Sequence, residues 1–176
     1  PVIVACPSNI SLTAGAACTA VATWTAPTVN DNCNGATITQ TAGPVSGSAF
    51  PLGVSTITYT ATDGSGNTST CSFTVTVLDA TVPVVVDCPS NISLNAGSTC
   101  TAVATWIAPT VTDNCSGATI TQTAGLASGS AFPLGTSTIT YTGTDGSGNS
   151  ATCSFTVTVV DATAPVVVAC PSNISL

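Results

Sequence analysis

Cys71-Ser72-Phe73-Thr74-Val75-Thr76-Val77-Leu78-Asp79-Ala80-Thr81-Val82-Pro83-Val84-Val85-Val86-Asp87-Cys88-Pro89-Ser90-Asn91-Ile92-Ser93-Leu94 is the stretch on which the organisation of the chain turns. From Phe73 to Val77 apolar and hydroxyl side chains alternate, the period of two of a half-buried strand. A short bridge, Asp79-Ala80-Thr81-Val82-Pro83, then leads into Val84–Pro89, which reads as the opening of another unit. The closing strand returns at Cys153–Val159 and the opening at Pro165–Leu176.

The period is 82 residues. Cys6 and Cys88 are separated by it (88 − 6 = 82), as are Cys18 and Cys100, Cys33 and Cys115, Cys71 and Cys153, Trp24 and Trp106, and Tyr59 and Tyr141. Aligned without gaps, residues 6–87 and 88–169 differ at 15 of 82 positions, mildly, as at Ala17/Thr99, Thr25/Ile107 and Val54/Thr136. A period this long exceeds the 20–45 residues of a solenoid coil and suits a small domain that folds alone. The boundaries read from it are 1–80, 81–162 and, for the first strand of a third copy, 163–176.

Each copy is patterned for strands. Ile10 and Leu12 mark a first strand, Thr19–Thr25 a second that stops near Pro27, and Ala36–Thr41 a third. Ser48–Leu52 follows as a short edge piece. Ser55–Thr62 places Ile57, Tyr59 and Ala61 on one face; Thr70–Leu78 places Cys71, Phe73, Val75 and Val77 inward. Asp63-Gly64-Ser65-Gly66-Asn67 is a turn between them, and no segment has a 3.6-residue apolar period. The expected class is all-β: tandem immunoglobulin-like or fibronectin-III-like β-sandwich repeats of 82 residues.

Composition narrows the function. The chain has 176 residues, no Lys, Arg or His, and seven acids, all Asp, for a formal charge of −7. Nucleic-acid binding needs cations to neutralise phosphates, and there are none. A Ser-His-Asp or Cys-His nucleophile needs an imidazole. No enzyme is expected. No apolar run approaches the ~20 residues of a membrane span, and no basic start resembles a secretion signal. The nine Cys include no Cys-x2-Cys pair of the kind that marks an all-Cys zinc site. They read as disulfides of an oxidising compartment, and an extracellular or cell-surface location follows.

Cys6-Pro7-Ser8-Asn9-Ile10, Val21-Ala22-Thr23-Trp24-Thr25-Ala26-Pro27, Asp31-Asn32, Phe50-Pro51-Leu52-Gly53, Tyr59–Asn67 and Cys71–Val77 together resemble the hyalin repeat (HYR) domain family. The resemblance runs the length of both copies. It implies an immunoglobulin-like fold, an extracellular setting and a role in adhesion or matrix. Cys18 and Cys33 go beyond the core pair of that family.

In such a sandwich the first and last strands lie parallel and adjacent, so Cys6–Cys71 and Cys88–Cys153 are the expected bridges. For the others two pairings stand. Locality favours Cys18–Cys33 and Cys100–Cys115. However, Cys18 starts the second strand and Cys33 follows the loop at its far end, ~20 Å away at ~3.3 Å per residue. The alternative is Cys18–Cys115, a staple between consecutive copies.

The same topology carries the acids to the joints. Asp79, Asp87, Asp113 and Asp145 gather at the middle one with Asn114 and Asn149; Asp31 and Asp63 lie at the first pole and Asp161 at the last joint. Clustered carboxylates with no cation in the chain invite Ca2+, which takes 6–8 oxygens. Asp79, Asp87, Asp113 and Asp145 are the candidate ligands. The competing reading is that these Asp and Asn only build Asx-turns, and Asp87 corresponds to Ala5 and Ala169. Outward Thr ladders reflect β-propensity first, then a surface carrying sugars at the sequons Asn9, Asn67, Asn91, Asn114 and Asn173, and last a flat array for ice or crystals.

The expected function is an extended, disulfide-stabilised stalk or filament whose partners are copies of itself and cell-surface or matrix ligands. The alternative is a carbohydrate- or protein-binding adhesin module that recognises ligand through loops such as Asn30–Gly35.

Overall fold

A computed structural model describes residues 1–170; the sequon at Asn173 and the remainder of the expected third opening segment lie outside them. The described residues form strands and turns without helix. In the first repeat the strands are β1 (Val2–Val4), β2 (Ile10–Thr13), β3 (Thr19–Val21), β4 (Thr28–Asn30), β5 (Thr37–Ala42), β6 (Ala49–Pro51), β7 (Gly53–Thr62) and β8 (Thr68–Leu78). One sheet is ordered β2-β8-β7-β5; β3 pairs with β6 and β1 with β4. Strands β2 and β8 run parallel, with Ile10 opposite Val75 and Leu12 opposite Val77. The register of β7 against β8 sets Ile57 opposite Phe73 and Tyr59 opposite Cys71.

The chain divides into two compact units. The first comprises Pro1–Val84 together with Val111–Thr119 and Gly143–Ala151; the second comprises the remainder of the described chain. Thus two loops of the second sequence repeat belong to the first unit, which the 82-residue boundaries do not anticipate. In the second repeat β9 (Val84–Val86), β10 (Ile92–Asn95), β11 (Thr101–Val103), β12 (Thr110–Thr112), β13 (Thr119–Ala124), β14 (Ala131–Pro133), β15 (Gly135–Thr144) and β16 (Ser150–Val160) follow in the same order. They form the corresponding β10-β16-β15-β13 and β11-β14 sheets.

Alternation becomes burial as the pattern requires. Phe50, Ile57, Tyr59, Phe73, Val75 and Val77 form the first core, with Phe132, Ile139, Tyr141, Phe155, Val157 and Val159 as the second. Trp24 stands edge-on to Phe73, ring centroids 5.2 Å apart, and its indole N–H donates to the Tyr59 hydroxyl at 2.9 Å. This satisfies the polar end of both aromatics while their rings fill the core. Trp106 and Tyr141 repeat the bond at 2.9 Å.

Two local readings are corrected. The second strand ends at Val21, not Thr25, because the Trp24 N–H is taken by Ser46 Oγ at 2.9 Å rather than by a neighbouring strand. Asn30, expected in the loop Asn30–Gly35, ends strand β4, and Val2–Val4 form a strand that pairs with it. Short three-residue pairings of this kind lack enough alternation to be seen in sequence. At Gly43 (φ +82°) the chain turns so closely over β7 that an added Cβ would stand 2.5 Å from the Thr56 carbonyl oxygen. The Gln40 side-chain amide anchors this bend, donating to the carbonyls of Ala42, Gly43 and Pro44.

Candidate functional site

Cysteine chemistry organises the site. Cys6 is bonded to Cys71 (Cα–Cα 6.1 Å) and Cys88 to Cys153 (6.0 Å), tying the segment before β2 and β10 to strands β8 and β16. The third bond joins Cys18 to Cys115, Cα–Cα 4.9 Å, across 97 residues of sequence. Locality fails here: Cys33 and Cys100 are exposed free thiols. The chain passes through β3 and β4 between Cys18 and Cys33. Cys115, encoded in the second repeat, is buried in the first core beside Ala14 and Cys18.

A tight turn presents Cys18. The Gly15 N–H donates to the Thr19 carbonyl at 2.8 Å and the Cys18 N–H to the Gly15 carbonyl at 2.9 Å. Cys18 takes a left-handed φ of 58°, sparsely populated by side-chain-bearing residues. Facing it is the loop of Asp113, Asn114 and Cys115. The Cys115 N–H donates to Asp113 Oδ2 at 2.9 Å, an Asx-turn, and Asn114 Nδ2 donates to the Gly15 carbonyl at 3.1 Å.

The remaining acids divide into the satisfied and the orphaned. Asp145 accepts from the Ser147 and Asn149 N–H groups at 2.9 and 2.8 Å and from Asn149 Nδ2 at 2.8 Å. Burial pushes its carboxyl up, but the Asn149 side-chain amide and the N–H groups of Asn149, Ser147 and Gly148 outweigh that and hold it below the usual carboxylate range. Asn149 Nδ2 also reaches the Asp79 carbonyl at 3.2 Å. Asp79 is 9% exposed, and its Oδ1 accepts from Thr81 N–H at 3.0 Å. Asp79 Oδ2, Asp113 Oδ1 and Asn114 Oδ1, by contrast, are buried acceptors with no donor.

Carboxylate oxygens of Asp79 and Asp113 and the Cys115 sulfur lie within 4.8 Å of one another. The sulfur is committed to its disulfide, so the donor set here is oxygen, the chemistry of a hard divalent cation. The structure therefore brings Asp79 and Asp113 together, with Asn114 next to Asp113 in the same loop, and gives Asp145 to its own turn. Asp87 belongs to the second unit, where it adopts a left-handed φ of 59°, as Ala5 does in the first.

Of the sequons, Asn9 and Asn91 are exposed and use only their carbonyl oxygens, accepting from the N–H groups of Thr74 and Thr156 at 2.9 Å. Asn67 donates its amide nitrogen to Asp63 at 2.8 Å, and that of Asn114 is engaged at Gly15. On the outer face Thr41 pairs with Thr60, and Thr58 with Ser72, each at 2.9 Å, so the hydroxyl ladder satisfies itself. Sequence reasoning missed the Gly15 carbonyl, the buried Pro83 and the burial of Cys115 in the first core. Among the described residues no helix is long and apolar enough to cross a membrane.

A family model described as the HYR domain matches residues 1–77 and 78–159. Hyalin of Strongylocentrotus purpuratus is 42% identical over 184 residues, covering 99% of this chain and 15% of that protein. The serine-rich adhesin for platelets of Staphylococcus aureus (strain MRSA252) is 37% identical over 116 residues, covering 62% of this chain and 9% of that protein. The chain thus spans a small part of these relatives. Among solved structures, Drosophila N-cadherin EC1–3 shares the fold, with a TM-score of 0.50 at 11% identity over 87% of this chain and 63% of that one.

Proposed function

This chain belongs to the HYR domain family, and from that premise we propose that it is a structural, adhesive segment of an extracellular repeat protein, working as part of an extended stalk or filament. Its modules are residues 1–80 and 81–162, with a third beginning at 163. The single observation that carries the reading is the Cys18–Cys115 bond, whose two cysteines come from consecutive repeats. A covalent link between residues of consecutive repeats resists their being pulled apart. The three bonds suit an oxidising, extracellular setting. A relative named as an adhesin accords with adhesion, and a chain without Lys, Arg or His offers little for catalysis or nucleic acid. Electron microscopy of the native protein tests the reading: extended, uniform rods are expected, and freely jointed particles would overturn it.

A divalent cation, Ca2+ by its preference for oxygen, completes the proposal. Asp79 Oδ2, Asp113 Oδ1 and Asn114 Oδ1 are the oxygens that would hold it, and it would supply the positive charge the chain lacks. Millimolar Ca2+ should raise the melting temperature reported by Trp24, which sits in the first core, and Asp79→Asn should abolish that rise. Equal melting in chelator and in Ca2+ would rule the cation out.

A further inference from the structure

Asn34-Gly35 is the one Asn-Gly step in the chain. It forms the tip of the loop Asp31–Gly35, in a turn, with both residues exposed. Asn is a thermolabile residue, and a following Gly leaves the main-chain nitrogen beside it unshielded by any side chain. The second repeat carries Ser116-Gly117 at the same place (34 + 82 = 116), a pair without a side-chain amide.

The openness of this tip does not depend on what the loop packs against. Residues 113–117 belong to the first unit and Cys115 is buried there, yet Ser116 and Gly117 stay exposed. A Cβ added at Gly35 would meet no atom within 4 Å, and one added at Gly117 would meet none either. The two glycines share a left-handed backbone, φ 103° and 102°. The turn itself, rather than its surroundings, holds the tip in solvent.

Elsewhere the same chemistry is blocked. Asn32 and Asn114 each precede a Cys whose N–H is already donated at 2.9 Å to an Asp carboxylate, Asp31 Oδ1 and Asp113 Oδ2. The side-chain amides of Asn67 and Asn149 are held on Asp63 and Asp145 at 2.8 Å. Two Asp-Gly steps, Asp63-Gly64 and Asp145-Gly146, are open to a related ring closure, but each carboxylate accepts three hydrogen bonds from its own turn. In the loop 31–35 the side-chain hydrogen bonds belong to Asp31, Asn32 and Cys33; among the described residues none holds the Asn34 amide or the Gly35 N–H.

We propose that Asn34 is a site of spontaneous modification, deamidation through a succinimide, confined to the first repeat. The deprotonated Gly35 nitrogen attacks Asn34 Cγ. The N–Cγ bond forms, the Cγ–Nδ2 bond breaks, and the amide leaves as ammonia with the proton that the backbone gave up. Water then opens the ring at either carbonyl. One opening yields an ordinary aspartate, the other an isoaspartate whose main chain runs through Cβ and Cγ. No electrons are transferred, and water is the only co-reactant. The formal charge passes from −7 to −8 (−7 − 1 = −8), with no Lys, Arg or His in the chain to neutralise the new carboxylate. Two repeats nearly identical in residues thus come to differ in charge as the protein ages. The inference stands apart from the stalk and cation readings.

The test incubates the 176-residue chain at mildly alkaline pH beside a free peptide of residues 31–40. An acidic species separable by anion exchange is expected to accumulate, and to do so more slowly at mildly acidic pH, because the attacking nitrogen must lose its proton. After reduction and alkylation, a protease that cleaves before Asp releases residues 31–62. The converted chain gives two new forms of this peptide, one cut again before position 34 and one uncut there but labelled by an isoaspartyl methyltransferase. Asn34→Ser, matching what the second repeat carries, should abolish both. Adding Ser116→Asn to that chain should bring the reaction back at position 116, within the packed loop, at a rate within a few-fold of that at Asn34. An intact Asn34 when the free peptide is largely converted overturns the proposal, as does conversion at Asn32, Asn67 or Asp63 as fast as at Asn34. An inert Ser116→Asn chain would show that packing shields the tip, and overturns it likewise.

Discussion

Residues 31–35 with 63–67 and residues 113–117 with 145–149 are the same two loops written twice, differing at Asn34/Ser116. Each pair makes the same internal hydrogen bonds, down to the Asn amide on the Asp carboxylate at 2.8 Å. Yet Cys33 is an exposed thiol and Cys115 a buried half of a disulfide. Asp63 is only partly buried, whereas Asp145 is 6% exposed. The difference teaches that local residues build the turn, while its environment comes from what packs on it. Residues 113–117 and 145–149 lie within the first compact unit, near Gly15, Cys18 and Asp79.

The comparison breaks most sharply at the disulfide. Cys115→Ser, read through Trp24 in a Trp106→Phe background, should lower the stability of the first unit by about 4–5 kcal/mol for a loop of this length. Cys33→Ser should change it by less than about 0.5 kcal/mol, as at other exposed sites. Equal effects in chemical denaturation would erase the distinction between the loops. The cores, unlike the loops, should behave alike: Phe50→Ala and Phe132→Ala each cost about 3–5 kcal/mol. The first is followed by Trp24 fluorescence and the second by Trp106.

A smaller contrast lies in the carboxylates. Asp145→Asn should shift the Trp24 transition further than Asp63→Asn, since only Asp145 is buried beside the Asp79 carbonyl contact of Asn149. Smallest is the pH response. Asn67 and the Ser65 and Asn67 N–H groups hold Asp63 below the ordinary carboxylate range, and the corresponding donors do so for Asp145. A depressed folded pKa contributes stability above the unfolded value of about 4 and loses it as pH falls through the lower folded value. The denaturation midpoint should therefore drop on acidification below about pH 4. Asp145→Asn should blunt that drop; an unchanged acid response would show that its turn does not set it.

Much of this was legible beforehand. The inward set Ile57, Tyr59, Phe73, Val75 and Val77 follows from strict alternation, because a period of two leaves a long strand one way to face the core. The parallel neighbours β2 and β8 follow from the sandwich. Strands β1 and β4 were not legible: three residues each, they exist through pairing with one another, Val2 opposite Asn30 and Val4 opposite Thr28. The acid cluster was half legible. Topology sends Asp79, Asp113 and Asp145 toward one pole, and the Asx-turn reading covers Asp145, but nothing in the residues says that Asp79 and Asp113 keep one oxygen each without a donor.

By itself the sequence determined the period, the strand faces, the core and the chemistry of every half-site, since these depend on neighbours within a strand, a turn or one copy. Only the tertiary structure decided that Cys18 bonds Cys115 rather than Cys33 and that Asp79 is buried. Repeats that share their residues at a site have the same local energies there. What separates them is the surface each one meets, and that is set by packing between segments 97 residues apart.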